Sequence, residues 1–131
     1  MLSVERLVAY INALPFQLPR SEHSHVGAVL PQYYADQFGW EEMTAAVAGI
    51  YNRLTPEERS KTAIFGNNYG QAGAIDFFGP KYGLPKAIGG HQNYWLWGPR
   101  NYTGELLIVL GDRPEVLREE CHQVEVGTVL N

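Results

Sequence analysis

Two short apolar runs, TAIFG at 62–66 and LLIVL at 106–110, leave few folds open to this chain. Neither alternates polar with apolar residues, as a strand with one wet face would. Strands of this kind are covered on both faces, and here the segments between them carry helical signals. After TAIFG comes the turn NNYG and then QAGAIDFFGP, where Ile75, Phe77 and Phe78 load a short helix that Gly79 and Pro80 end. PKAIGG at 85–90 reads as a brief second strand, GELLIVLGD at 104–112 as a fully buried third, and RPEVLREE at 113–120 as a helix with proline in its first turn. HQVEVGTVL at 122–130 reads as a fourth strand. Strands separated by helices predict a three-layer α/β/α domain, Rossmann-like, with a mostly parallel sheet of about four strands.

Two helices precede this core. Val4, Leu7, Val8 and Ile11 recur at helical spacing behind Ser3, a good N-cap residue, and Pro15 stops the pattern, giving a helix over 3–13. From 14 to 31 the prolines at 15, 19 and 31 point to an extended segment that wraps over the rest. Trp40, Met43, Val47, Ile50 and Leu54 then form one stripe along about four turns, predicting a long core-facing helix. TPEER at 55–59 supplies a fresh cap and one more helical turn. With 131 residues, 45% of them hydrophobic, the expectation is a single soluble domain, 1–31 a helix plus wrapping segment and 32–131 the α/β core.

A formal net charge of −4 gives no overall positive field to neutralise a phosphate backbone, which argues against nucleic acid as a partner. No apolar run approaches the roughly 20 residues that cross a bilayer, and the first residues carry charges where a signal peptide would be continuous and apolar. The one cysteine, Cys121, has no partner for an internal disulfide, and it reads as a packed free thiol.

Right-handed crossovers put every strand-to-helix turn on one edge of a parallel sheet, the edge where such folds hold ligands. Three turns therefore converge: NNYG, the aromatic segment and GDRPE. GNNYGQAG has glycines at 66, 70 and 73, which is neither a dinucleotide fingerprint nor a phosphate loop. Its alternatives are a ligand contact through Asn67, Asn68, Tyr69 and Gln71, whose amides suit sugar hydroxyls, or a tight turn whose asparagines satisfy local backbone groups. GGHQNYWLWGPRNYTG at 89–104 looks like a loop, yet Tyr94, Trp95, Trp97 and Tyr102 cannot all face water. Either the rings pack a long loop, or Trp95 and Trp97 stay partly exposed beside His91, Asn93 and Arg100 and form an apolar wall with a polar rim.

Acid and base candidates, Asp36, Asp76 and His91, are scattered, so no catalytic residue is assigned. The pair His23 and His25 in EHSH lacks a further ligand at a metal-binding spacing, and adjacent Cys121 and His122 would point to opposite faces of a strand. No metal and no cofactor is expected. NYT at 101–103 fits the N-glycosylation pattern, which has meaning only in a secretory host.

The strings LPQYYADQFGWEEM, AIFGNNYGQAGAIDFFGPKYGLPKAIGGHQNYWLWGP and ELLIVLG, over about 30–112, resemble the soluble C-terminal region of bacterial family 39, protein-mannosyltransferase-like membrane glycosyltransferases. The resemblance implies a domain excised from a membrane protein that takes a sugar from a polyprenyl phosphate carrier. It places the domain on the outer face of the cytoplasmic membrane and makes the parent's own membrane portion a partner. Catalytic acids in that family lie in an early extracytoplasmic loop that no part of this chain matches, so the resemblance implies a non-catalytic piece. Three roles follow: a module that binds or positions glycan or acceptor through the converging turns, a structural docking or dimerisation module, or an independent nucleotide- or sugar-phosphate-binding enzyme.

Overall fold

Strand β1 (Thr62–Gly66) is the centre of a three-stranded parallel sheet in the computed structural model, which describes residues 3–13, 15 and 39–130. Strands β2 (Ile88–Gly89) and β3 (Leu106–Leu110) flank it, in the order β2-β1-β3. Phe65 pairs with Ile88 and Val109, and Gly66 with Gly89 and Leu110. The chain is therefore α/β with parallel strands, as the unbroken apolar runs imply. Residues 122–130 form no strand, so the sheet has three strands among the described residues.

Two compact units divide the chain, Met1–Gly39 and Trp40–Asn131. Helix α1 (Val4–Ala13) belongs to the first and ends ahead of Pro15, where the proline was expected to stop it. Apart from Pro15, the wrapping segment expected at 14–31 lies outside the described residues, as do Asp36 and the histidines of EHSH.

In the second unit, α2 (Trp40–Tyr51) leads to α3 (Pro56–Ser60), whose start is fixed by a capping box. The Thr55 hydroxyl accepts from Glu58 N at 3.2 Å and the Glu58 carboxylate accepts from Thr55 N at 2.7 Å. β1 follows, then α4 (Tyr69–Phe78), a 3₁₀ turn (Gly79–Tyr82), β2, α5 (Asn93–Trp97), β3 and α6 (Pro114–Glu120).

The core joins Val47, Ala48 and Tyr51 of α2, Ile64 of β1, Ala72 and Ile75 of α4, and Leu84, Ala87 and Tyr94. The buried face of α2 is Thr44, Val47, Ala48 and Tyr51. It is turned from the expected stripe, so Val47 is fully buried while Trp40 and Ile50 are half-buried and Leu54 packs from beyond the helix end. Alanine and threonine at the contact let α2 lie close to α4, and the buried Thr44 hydroxyl is satisfied by Trp40 O at 2.8 Å.

Two further expectations are corrected. Phe77 is 78% exposed, because α4 faces the sheet with Ala72 and Ile75 and carries Phe77 out to solvent. β3 is not fully buried: it is the sheet edge, and Leu106 and Leu107 at its start are exposed.

Candidate functional site

Parallel pairing aligns the carboxyl ends of the strands. Gly66 pairs with both Gly89 and Leu110, so the turns leaving β1, β2 and β3 start side by side, about 5 Å apart. The convergence expected from right-handed crossovers is present. Tyr69 in the first turn and His91 in the second have ring centroids 5.3 Å apart, tilted by 42°. In the third turn, a Cβ at Gly111 would overlap the Gln71 side-chain amide, so Gln71 lies against that backbone, where Gly111 has φ 77°.

Gln71 shows how the first turn uses its amides. Its Oε1 accepts from Asn67 N at 3.0 Å and from Asn68 N at 3.3 Å, while Asn68 Oδ1 accepts from Gln71 N at 2.9 Å. This is a reciprocal cap on α4, so Asn68 and Gln71 have local roles. It also occupies the crevice between β1 and β3, where winding reverses in a 2-1-3 order and where a ligand would be sought first. Gly66 is required here: a Cβ would lie 2.6 Å from Ala72 N, so strand and helix approach closer than any side chain allows.

The open space lies on the other side of β1. Phe65, Ile88, Gly89, Gly90, Trp95, Gly98 and Pro99 line a cleft of about 340 Å³, almost wholly apolar. Phe65 and Ile88 are register partners one residue away from core Ile64, so they project from the opposite face of the sheet. Trp95 forms one wall and is 71% exposed. Three of the seven lining residues are glycines, which keep the cleft open by filling none of it.

The aromatic segment is thus not a loop throughout, since 93–97 is the helix α5. Within one turn it sends Tyr94 inward, at 8% exposure, and leaves Trp95, Leu96 and Trp97 outside. Trp97 packs edge-on against Tyr94, centroids 4.9 Å apart, with the Arg100 guanidinium 5.2 Å over its ring. Gln92, at the N-cap of α5, holds φ 52° and ψ −130°, a conformation that favours glycine.

Asp76 on α4 anchors this segment. Its Oδ1 accepts from Ala87 N at 2.7 Å, its Oδ2 accepts from the Tyr94 hydroxyl at 3.0 Å, and Arg100 Nη2 stands 3.7 Å from the same Oδ2. Arg100 Nε donates in addition to Ala87 O at 3.0 Å. Burial, reinforced by the hydrogen bond to the Asp76 carboxylate, pushes the Tyr94 hydroxyl up to about 12. Burial also raises Tyr102, against which Arg100 acts in the lowering direction.

Of the nine residues singled out from the sequence, Trp95 lines the cleft, and Tyr69 and His91 pair with each other across the first two turns. Asn67 and Asn93 are exposed, Asn68 and Gln71 cap α4, and Trp97 and Arg100 belong to the Tyr94–Asp76 cluster. Sequence reasoning missed Phe65, Ile88 and Pro99, because strand and proline residues read as structural until their partners are placed. The available signal was the Gly89–Gly90 pair ahead of two indoles, a place where backbone replaces side chains. No group of three or more histidine, cysteine or acidic residues is arranged to hold a metal among the described residues, and none of their helices is long and apolar enough to cross a membrane. Comparisons with protein-family models, curated proteins and solved structures gave no match.

Proposed function

We propose that this domain binds a saccharide in the cleft beside β2, with the ring of a pyranose stacked on Trp95. The observation that carries this reading is a largely exposed indole walling an apolar cleft at the carboxyl end of a parallel sheet. An indole offers the apolar CH face of a sugar a flat partner, and the exposed His91, Gln92 and Asn93 beside it supply donors and acceptors for hydroxyls. Among the described residues no paired acid and base lines the cleft, and the role proposed is binding without turnover.

In the same proposal the chain is a non-catalytic extracytoplasmic domain of a polyprenyl-phosphate-sugar-dependent membrane glycosyltransferase, holding glycan or acceptor near the parent's membrane portion. There residues 122–130 add beside β3 as a fourth strand and complete a three-layer, Rossmann-like sheet.

The test is titration of the 131-residue chain with methyl glycosides of glucose, galactose and mannose, followed by amide and indole NMR. Shifts at the Trp95 indole and at Gly89, Gly90 and Gly98 support the reading, and silence there overturns it. Gly90→Val sharpens the test. A Cβ at Gly90 has nothing within 4 Å, so the added side chain starts into open space at the cleft lining. A second reading, docking on the transferase or on a second copy, is favoured by Leu96, 77% exposed and outside the cleft lining.

A further inference from the structure

We propose that Asp76, which lines no part of the cleft, is the positioning residue that holds the cleft wall in binding geometry, an inference that rests on the saccharide reading above. Six of the seven lining residues, Ile88, Gly89, Gly90, Trp95, Gly98 and Pro99, lie between Ala87 and Arg100. The Asp76 carboxylate takes both ends and the middle of that stretch: Ala87 N at one end, Arg100 at the other and the Tyr94 hydroxyl between them. Arg100 closes the ring by donating to Ala87 O, so Ala87 uses both of its backbone groups in the clasp.

The stretch needs such a clasp. Gln92 sits at φ 52°, Gly98 at φ 64°, Arg100 at φ 49° and Asn101 at φ 69°, four left-handed residues within ten, three of them bearing a Cβ. Conformations of that kind persist only where surrounding contacts determine them. Helix α5 supplies little of its own, with five residues and no side-chain cap. One carboxylate on the longer helix α4 holds the wall through an amide, a phenol and a guanidinium.

The experiment compares hydrogen exchange and glycoside titration of the intact chain with Asp76→Asn, Tyr94→Phe and Gly90→Val. In Asp76→Asn, amides of 88–98 exchange at least about tenfold faster while those of β1 keep their protection, and the Kd for the methyl glycosides rises by about tenfold or more. Tyr94→Phe removes one hydroxyl and shifts both readouts in the same direction by a smaller factor, which preserves the test should Asp76→Asn not fold. Gly90→Val abolishes glycoside binding and leaves exchange of 88–98 as in the wild type. Unchanged exchange of 88–98 in both Asp76→Asn and Tyr94→Phe overturns the clasp whatever the titrations show. A wild-type chain that binds none of the glycosides, alongside faster exchange in Asp76→Asn, sinks the saccharide reading and leaves the clasp with no binding geometry to hold.

Discussion

Raising the pH from 9 to 11 should narrow the stability gap between the wild type and Tyr94→Phe. The Tyr94 hydroxyl ionises only at about 12 in the fold, because burial disfavours the phenolate and the Asp76 carboxylate accepts its proton and would repel its charge. In the unfolded chain it ionises near pH 10. A folded-state value above the unfolded one means that the stabilisation is complete below pH 10 and is lost as pH rises through the window to about 12, because there the unfolded state has released a proton that the folded state still holds. At pH 9 almost no loss has begun; at pH 11 the wild type has lost at most about 1.3 kcal/mol through this one group, and Tyr94→Phe has lost none of it. Urea unfolding of the two proteins at pH 9, 10 and 11 measures the gap directly, since contributions from lysines and the other tyrosines are common to both. The wild type should lead by about 1 kcal/mol at pH 9, the worth of one largely buried hydrogen bond, and by little or nothing at pH 11. A gap that holds constant from pH 9 to pH 11 would show that Tyr94 is neither buried nor bound to Asp76 as described, and the clasp would lose its central link.

Gly66→Ala should destabilise by roughly 1–3 kcal/mol, because its Cβ meets Ala72 N at 2.6 Å with backbone on both sides, and calorimetry should record the fall in Tm. Gly73→Ala, in the middle of α4 with nothing within 4 Å, should instead raise stability by about 0.5–1 kcal/mol in the same scan. Asn68→Ala should cost about 1 kcal/mol in urea unfolding through the lost cap on α4 and leave glycoside affinity within about twofold; a large loss of affinity would return Asn68 to the site.

The positions of β1, β2 and β3 and of the helices after β1 and β3 were legible in the residues because their signals are local: unbroken apolar runs, Pro114 at a first turn, Gly79 ending α4; α5, between glycine pairs and a proline, read as a loop. What lay beyond the sequence was decided by packing partners. Ile75 and Phe77 look equivalent in QAGAIDFFGP, but Ala72 and Ile75 share the face that meets Gly66 and the core, and Phe77 is carried away from it. Whether LLIVL is central or at an edge depends on which strand pairs with β1 on each side, which no single run encodes. The same limit applied at the site. Asn68 and Gln71 were visible as amides in a glycine-rich turn, and only the geometry shows them satisfying each other and the turn backbone. Asp76 was one acid among several until Ala87, Tyr94 and Arg100 were found around it.

The exposure of the aromatic segment follows from helix geometry more than from any accident of packing. In α5, Tyr94, Trp95, Leu96 and Trp97 are consecutive, so their side chains fan around the axis in steps of 100° and span most of a circle. Any single contact that buries Tyr94 must leave two or more of the others in water, and Trp95 and Leu96 are the two that face furthest out. They need not share a role. Trp95 walls the cleft and Leu96 does not, so Leu96→Lys separates the two uses of this surface. At an exposed helical position the change should alter stability by no more than about 0.5 kcal/mol and leave the Trp95 indole shifts with methyl glycosides intact. Loss of those shifts in a chain that remains folded and monomeric would mean that Leu96 contributes to the ligand surface, and that the cleft reaches further around α5 than its lining residues indicate.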